Sequence, residues 1–186
     1  MTTSNKYNNT ASVQNVHNTS EKYPLDIYKL SKGFSQLWES HKNTTSEYLI
    51  ILWETIFKSI NKSYYINVSN LSKDFIVIPA PTGSGKTQCF RFYAAELSKM
   101  EFEEGERPGM LIVTTFIDEI NEAVEQINEL AGREVAAAYH SETRFKLEQE
   151  EYLLNDYQIV VISHEYYIRN HYVSAVNNDI YQQVST

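Results

Sequence analysis

The fold of this chain is decided by one stretch, Ala80-Pro81-Thr82-Gly83-Ser84-Gly85-Lys86-Thr87. Gly83 and Gly85 permit a positive φ and let phosphate approach the backbone without a Cβ in the way. The N–H groups of such a loop, and the partial positive charge of a helix that follows it, attract a polyphosphate. Lys86 is placed to reach the β- and γ-phosphates, and the Thr87 hydroxyl is placed to bind Mg²⁺. The stretch therefore predicts a P-loop that binds ATP with Mg²⁺.

Every residue of the loop after Ala80 is predicted to contact the nucleotide. Ala80 stands where the strict pattern has glycine, so the sequence departs from that pattern at one position. Lys86 is the predicted catalytic residue, because its ammonium meets the charge on the phosphates. Thr87 is the predicted metal ligand. The residues expected to hold the nucleotide are Pro81, Thr82, Gly83, Ser84, Gly85, Lys86 and Thr87.

On both sides of the loop, apolar runs alternate with helical patterns. The run Phe75-Ile76-Val77-Ile78 precedes the loop and is typical of a strand buried on both faces of a parallel sheet. The same reasoning predicts further strands at 110–113, 134–139 and 158–162, and helices at 87–100, 117–130, 145–154 and 164–170. Gly132 is the predicted stop of the helix at 117–130. The alternation predicts an α/β fold, a parallel sheet with helices on both faces.

The N-terminal third of the chain has a different pattern. Residues 1–22 are polar and without periodicity, which predicts a mobile tail. Residues 23–72 predict a helical segment of two amphipathic helices. Pro24 suits the first turn of the first helix, and Thr44 with Glu47 reads as a capping box that opens the second. The two tryptophans in these helices are expected to pack in the core.

Composition limits the classes of protein that fit. The chain has 186 residues, enough for one domain, and a formal net charge of −8, which argues against general nucleic-acid binding through a basic face. The lone cysteine, Cys89, cannot form an internal disulfide, which fits a reducing compartment. No apolar stretch is long enough for a membrane span or a secretion signal. We expect a cytoplasmic protein with no membrane contact.

The motifs resemble a known family. Ile78 to Thr87 resembles motif I of superfamily 2 DEAD/DEAH-box helicases, in which alanine is common at the first position. Leu111 to Phe116 resembles motif Ia, and Val160 to His164 resembles the strand and turn shortly before motif II. The resemblance implies that residues 73–186 form an incomplete RecA-like ATP-binding domain, the N-terminal part of a helicase or translocase acting on DNA or RNA.

In that family, hydroxyls and amides of motif Ia and of the later turn touch the nucleic-acid backbone. By this resemblance, the candidate nucleic-acid contacts are Thr114, Thr115, Ser163 and His164. The alternative for Thr114 and Thr115 is a strand end and helix cap. For His164 the alternative is a local cap or packing role.

Other family motifs have no match in this sequence. The chain contains no Asp-Glu-x-His or Asp-Glu-Ala-Asp, and the Gln motif, motif III and the second RecA-like domain are not recognisable. Hydrolysis needs a carboxylate for the metal and a base for water. Glu165 is one substitute, and the cluster Glu148, Glu150 and Glu151 is another, although that cluster reads as the solvated side of a helix. We expect nucleotide binding without ATPase activity by this chain alone.

In the family's strand order, the strands missing from this sequence are central. The strand before the P-loop would then lack a neighbour, while the other three could pair with one another. This arrangement predicts an aggregation-prone edge or a partner chain that supplies the missing half of the fold.

Two other functions fit the P-loop. A small kinase-like protein would use another acid for the metal, but its lid should be rich in arginine and the region after Ser141 has only Arg144 and Arg169. A non-enzymatic protein would bind nucleotide or a partner without turnover, and the tyrosines between residues 152 and 181 would suit its surface.

Overall fold

The computed structural model describes residues 25–64, 76–103, 107–141, 143 and 156–169. The helices and strands follow the chain in the order α1 (Ile27–Ser40), α2 (Glu47–Tyr64), α3 (Lys86–Ser98), β1 (Met110–Thr114), α4 (Ile117–Ala131), β2 (Ala136–Tyr139) and β3 (Ile159–Ser163). Residues 164–169 continue from β3 in helical conformation. The predicted tail at 1–22, the helix at 145–154 and the glutamates 148, 150 and 151 lie outside the described residues.

The three strands form a parallel sheet in the order β1-β3-β2. Ile159 pairs with Met110 on one side and with Ala136 on the other, so β3 is the central strand of this sheet. Ile159 and Val161 are fully buried. The α/β fold with a parallel sheet is confirmed, and so is the mutual pairing of these three strands.

One core lies between the sheet and the helices α3 and α4. Every third or fourth residue of α4 is apolar, which gives a stripe toward the strands. The buried members are Ala94, Ile120, Ala123, Ile127, Val135, Ala136, Ile159 and Val161. Arg91 joins the two helices above this core, because its buried guanidinium donates to Glu122 at 3.0 Å and to Gln126 at 2.7 Å.

A second core joins α1 and α2 to α3 and is largely aromatic. Its buried members are Leu30, Phe34, Leu52, Trp53, Ile56, Phe57, Cys89, Phe92, Tyr93 and Leu97. Asn61 is completely buried within it, and its amide donates to Leu25 O while its oxygen accepts from the Tyr93 hydroxyl at 2.6 Å. The N-terminal helices therefore pack on the helix that follows the predicted P-loop.

Three predicted helix ends can be compared with the structure. The stop at Gly132 is confirmed, since this glycine has φ 72° and its N–H bonds to Glu129 O. The start at Pro24 is wrong, because α1 begins at Ile27 with the Asp26 side chain accepting from Lys29 N. The capping box at Thr44 is also wrong. The Ser46 hydroxyl accepts from Leu49 N and takes the capping position, while Thr44 O accepts from Trp38 Nε1.

The segment before the P-loop differs from its prediction. Residues 76–80 carry no strand, although the apolar run was expected to form one. Val77 is 82% exposed and Ile76 is 52% exposed. A strand is defined by its ladder partners, and among the described residues this segment has none. Within the same parts of the chain, no helix combines the length and apolar character needed to cross a membrane.

Candidate functional site

The loop at residues 80–85 ends directly on the first turn of α3. Gly83 and Gly85 have φ of 78° and 81°, in the left-handed region that favours glycine. Gly85 occupies the N-cap position of α3, and no side chain caps the helix there. The first N–H groups of α3 therefore keep their capacity to bind an anion, and the helix dipole favours negative charge at the same place.

Lys86 lies across this loop. Its Nζ donates to Ala80 O at 2.6 Å and to Pro81 O at 2.8 Å. The Ser84 hydroxyl donates to the same Pro81 O at 2.7 Å, so the loop is tied to itself. Thr87 is exposed. An ammonium held by carbonyl oxygens can exchange them for phosphate oxygens, which are stronger acceptors.

Metal ligands at the loop are few. Over the part of the chain that the structure describes, no group of three or more His, Cys, Asp or Glu side chains could hold a metal ion. The Thr87 hydroxyl is the group at the start of α3 that could bind Mg²⁺ beside a phosphate. Glu165, the alternative carboxylate, lies after β3 and pairs with Arg169 at 2.5 Å.

The loop rests on Trp53 of α2. The Trp53 indole N–H donates to Ser84 O at 2.8 Å, and the side chain is completely buried. In a trans peptide, C=O and N–H point in opposite directions. Because Trp53 fixes the carbonyl of Ser84, the N–H of Gly85 is directed away from Trp53. The helical hairpin formed by α1 and α2 thus sets the orientation of the Gly85 amide in the loop.

Trp38 of α1 reaches the same glycine. A Cβ added at Gly85 would lie 3.0 Å from Trp38 Cζ3 and 3.3 Å from Trp53 Nε1. The two indoles pack edge to face, with ring centroids 5.5 Å apart. The sequence indicated only a packing role for these residues. An amphipathic stripe shows that a side chain is buried, but not which distant segment it meets.

Two of the four candidate nucleic-acid contacts line a cleft at the carboxyl end of the sheet. A cleft of about 540 Å³ opens there, and Thr115 and Ser163 both line it. The carboxyl ends of parallel strands are the usual place for ligands in open α/β sheets. The other lining residues are Phe116, Ile117, Asp118, His140, Ser141, Glu165, Tyr166 and Arg169.

The four candidates differ in what their side chains do. The Thr114 hydroxyl donates a hydrogen bond to the Glu119 carboxylate. This bond, together with those from the Phe116 and Thr115 amides, holds the pKa of Glu119 below its ordinary value. The Ser163 hydroxyl accepts from Tyr166 N at 3.1 Å and so caps the helical turn after β3. His164 is exposed. Thr114 and His164 do not line the cleft.

Comparison with known proteins gives one result for this sequence. A family model described as DEAD/DEAH box helicase matches residues 59–186. The match begins within α2 and includes the loop, α3, α4 and all three strands. No curated protein matches the sequence.

Proposed function

Because this chain belongs to the DEAD/DEAH box helicase family, we propose that residues 81–87 bind ATP with Mg²⁺ for a helicase or translocase that acts on nucleic acid. One observation carries the proposal. Gly83 and Gly85, both with positive φ, lead into the N-terminus of α3, which no side chain caps. The Lys86 ammonium reaches back over the loop to the Ala80 carbonyl. This arrangement offers backbone N–H groups, a helix dipole and the positive charge of Lys86 to a polyphosphate.

The roles within the loop follow from position. Lys86 leaves the carbonyls of Ala80 and Pro81 and binds the β- and γ-phosphates. Thr87, exposed in the first turn of α3, binds Mg²⁺ through its hydroxyl. The amides between Thr82 and Thr87 surround the phosphates, and the Trp53 hydrogen bond keeps one of them oriented.

For nucleic acid, we propose the cleft at the carboxyl end of the sheet. Thr115 and Ser163 line it directly, while Thr114 and His164 lie beside it at the ends of β1 and β3. Hydroxyls and amides can hold a phosphate backbone without a basic surface, which is compatible with the net charge of −8. Arg169 lines the same cleft, and it must leave Glu165 to reach a phosphate.

A partner chain beside β1 is also proposed. Within the described ranges, β1 pairs only with β3, so its other edge is open. Leu111 and Val113 are 51% and 38% exposed on this strand. These two side chains share one face of the sheet, and the unpaired backbone N–H and C=O groups along the open edge are a template for another strand. The cytoplasmic location expected from composition fits Cys89, which is a free, buried thiol.

The nucleotide site is tested by Lys86→Ala. We expect ATP–Mg²⁺ affinity to fall by at least tenfold, because each charge-assisted hydrogen bond to phosphate contributes about 1.5–3 kcal/mol. Isothermal titration calorimetry measures this loss directly. Lys32→Ala, which removes an exposed lysine from α1, is the matched control and should bind like the parent. Equal affinity in the parent and in Lys86→Ala would contradict the proposal.

We also propose that the 186-residue chain holds ATP without turning it over. The described residues place no metal-binding carboxylate cluster at the loop. A loop that positions ATP but does not stabilise the transition state of phosphoryl transfer gives little catalysis. Phosphate release, measured with and without single-stranded DNA and RNA, should stay far below the order of 1 per second that phosphoryl-transfer enzymes reach. Stimulated turnover that disappears in Lys86→Ala would show that hydrolysis is intrinsic to the chain.

A further inference from the structure

A second cavity lies at the amino end of the sheet, beside the first residues of β1 and β3. Its volume is about 420 Å³, within the range of about 300–1,000 Å³ that is usual for small-molecule sites. Neither the loop at residues 80–87 nor the cleft at the carboxyl end contributes a residue to it. Strand β1 has five residues and rises about 3.3 Å per residue, so about 13 Å separate its two ends.

One side of this cavity is apolar. Leu111 and Val160 line it and are direct partners in the β1–β3 ladder. Ile112 and Val161, the next residues of the two strands, pack in the core under α3 and α4. Successive side chains of a strand point to opposite faces, so Leu111 and Val160 lie on the face turned away from these helices. The cavity therefore offers an apolar surface on the sheet itself.

Arg107 supplies the charge. Among the residues that the structure shows around the cavity, Arg107 alone is charged. Its side chain is exposed, and no carboxylate of the described ranges forms an ion pair with it. A guanidinium binds a carboxylate through two parallel N–H bonds. This end of the sheet therefore has a cation that can pair with an anionic ligand.

Gln158 adds a hydrogen-bond donor. It lines the cavity and is only 4% exposed. Its carbonyl oxygen accepts from Met110 N at 2.9 Å, which joins the two lining segments. Within the described part of the chain, its side-chain Nε2 has no hydrogen-bond partner. Buried polar groups are almost always paired, so this donor calls for an acceptor.

We propose that this cavity binds a small carboxylic acid with an apolar body, in its ionised form. The carboxylate pairs with Arg107 and accepts from Gln158 Nε2, since carboxylate oxygens only accept. The apolar body lies against Leu111 and Val160. One guanidinium balances the single charge of a carboxylate, and the apolar lining favours such a ligand over a fully hydrated inorganic anion. The proposed nucleotide and nucleic-acid sites take no part in this binding.

The test uses 3-phenylpropanoate as the probe. It is titrated into the full ¹⁵N-labelled chain, and the backbone amide signals of Gly109, Leu111 and Gln158 are followed by nuclear magnetic resonance. We expect saturable shifts at these amides. The uncharged 3-phenylpropanamide has nearly the same shape and should bind at least about tenfold more weakly, because it lacks the charge-assisted bonds to Arg107. Inorganic phosphate, which has no apolar body, should also bind at least about tenfold more weakly.

Three variants assign the contacts. Arg107→Gln should weaken 3-phenylpropanoate by about tenfold or more and leave the amide unchanged. Gln158→Leu keeps a side chain of similar size without the donor and should weaken 3-phenylpropanoate by about threefold to tenfold. Lys32→Gln removes the same unit of charge from an exposed position on α1 and is the matched control. It should bind both probes like the parent.

Several results would overturn the proposal. Absence of saturable shifts in the parent refutes it, as does equal affinity for 3-phenylpropanoate and its amide. Equal behaviour of Arg107→Gln and Lys32→Gln would exclude Arg107 from the site. Arg107 is exposed, so this comparison does not depend on how well Gln158→Leu folds. If inorganic phosphate binds as tightly as 3-phenylpropanoate, the cavity is a general anion site and the ligand class is wrong.

Discussion

Replacing Trp53 with alanine is expected to lower the free energy of unfolding by about 3–5 kcal/mol. Trp53 is completely buried at the centre of the aromatic core, 4.8 Å from the Phe34 ring and 5.5 Å from the Trp38 ring between centroids. Its removal leaves a large cavity and an unpaired carbonyl at Ser84. Urea denaturation followed by far-ultraviolet circular dichroism measures the change. Most domains have only about 5–15 kcal/mol of stability, so this variant loses a large share.

Two further variants make the Trp53 result specific. Tyr48→Ala removes an exposed aromatic from the same helix and should cost no more than about 0.5 kcal/mol. Trp53→Phe keeps an aromatic ring but loses the N–H donor, so it should weaken ATP binding more than its modest cavity explains. If Trp53→Ala is no less stable than Tyr48→Ala, the hairpin does not pack on the loop as described.

Gly85→Ala should destabilise the protein by about 2–5 kcal/mol and abolish measurable nucleotide binding. An alanine at φ 81° costs roughly 1–2 kcal/mol for the left-handed conformation. Its Cβ also lies 3.0 Å from Trp38 and 3.3 Å from Trp53, and such overpacking typically costs about 1–3 kcal/mol more. Both indoles are held by packing, so the loop itself has to shift.

Comparison with Gly132→Ala separates the cost of the contacts with the tryptophans from the cost of the left-handed conformation. Gly132 has φ 72° and nothing within 4 Å of an added Cβ, so alanine there has only the conformational cost. Gly83→Ala, with φ 78° and equally open space, gives the same comparison inside the loop. Denaturation and ATP titration of the three variants provide the data. Equal destabilisation by Gly85→Ala and Gly132→Ala would mean that the tryptophans do not constrain the loop.

Much of the fold could be predicted from local pattern. The apolar stripe of α4 and its stop at Gly132 are encoded within a few residues, and the structure confirms both. The apolar runs at β1 and β3 are long enough to mark strands, and both strands form in the structure. The run at residues 75–78 has the same composition, yet its described residues form no strand. Composition indicates that a segment can pair, whereas pairing itself depends on a neighbouring strand.

The environment of the loop could not be predicted in the same way. The sequence predicts the glycines and Lys86, because their chemistry is contained in eight consecutive residues. The contact between Trp53 and Ser84 joins residues 31 positions apart. A small pocket lined by His41, Asn43 and Gln88 brings together two segments whose approach depends on how α1 and α2 pack on α3. Only tertiary structure brings such groups together.

The placement of the indoles has an optical consequence. The chain has two tryptophans, and both lie against Gly85. Light that excites indole selectively therefore produces emission from this neighbourhood alone, without a background from the rest of the molecule. The unlabelled chain carries its own reporter, one fluorophore hydrogen-bonded to the loop and the other beside the small pocket. Movement of the loop changes the surroundings of both fluorophores together.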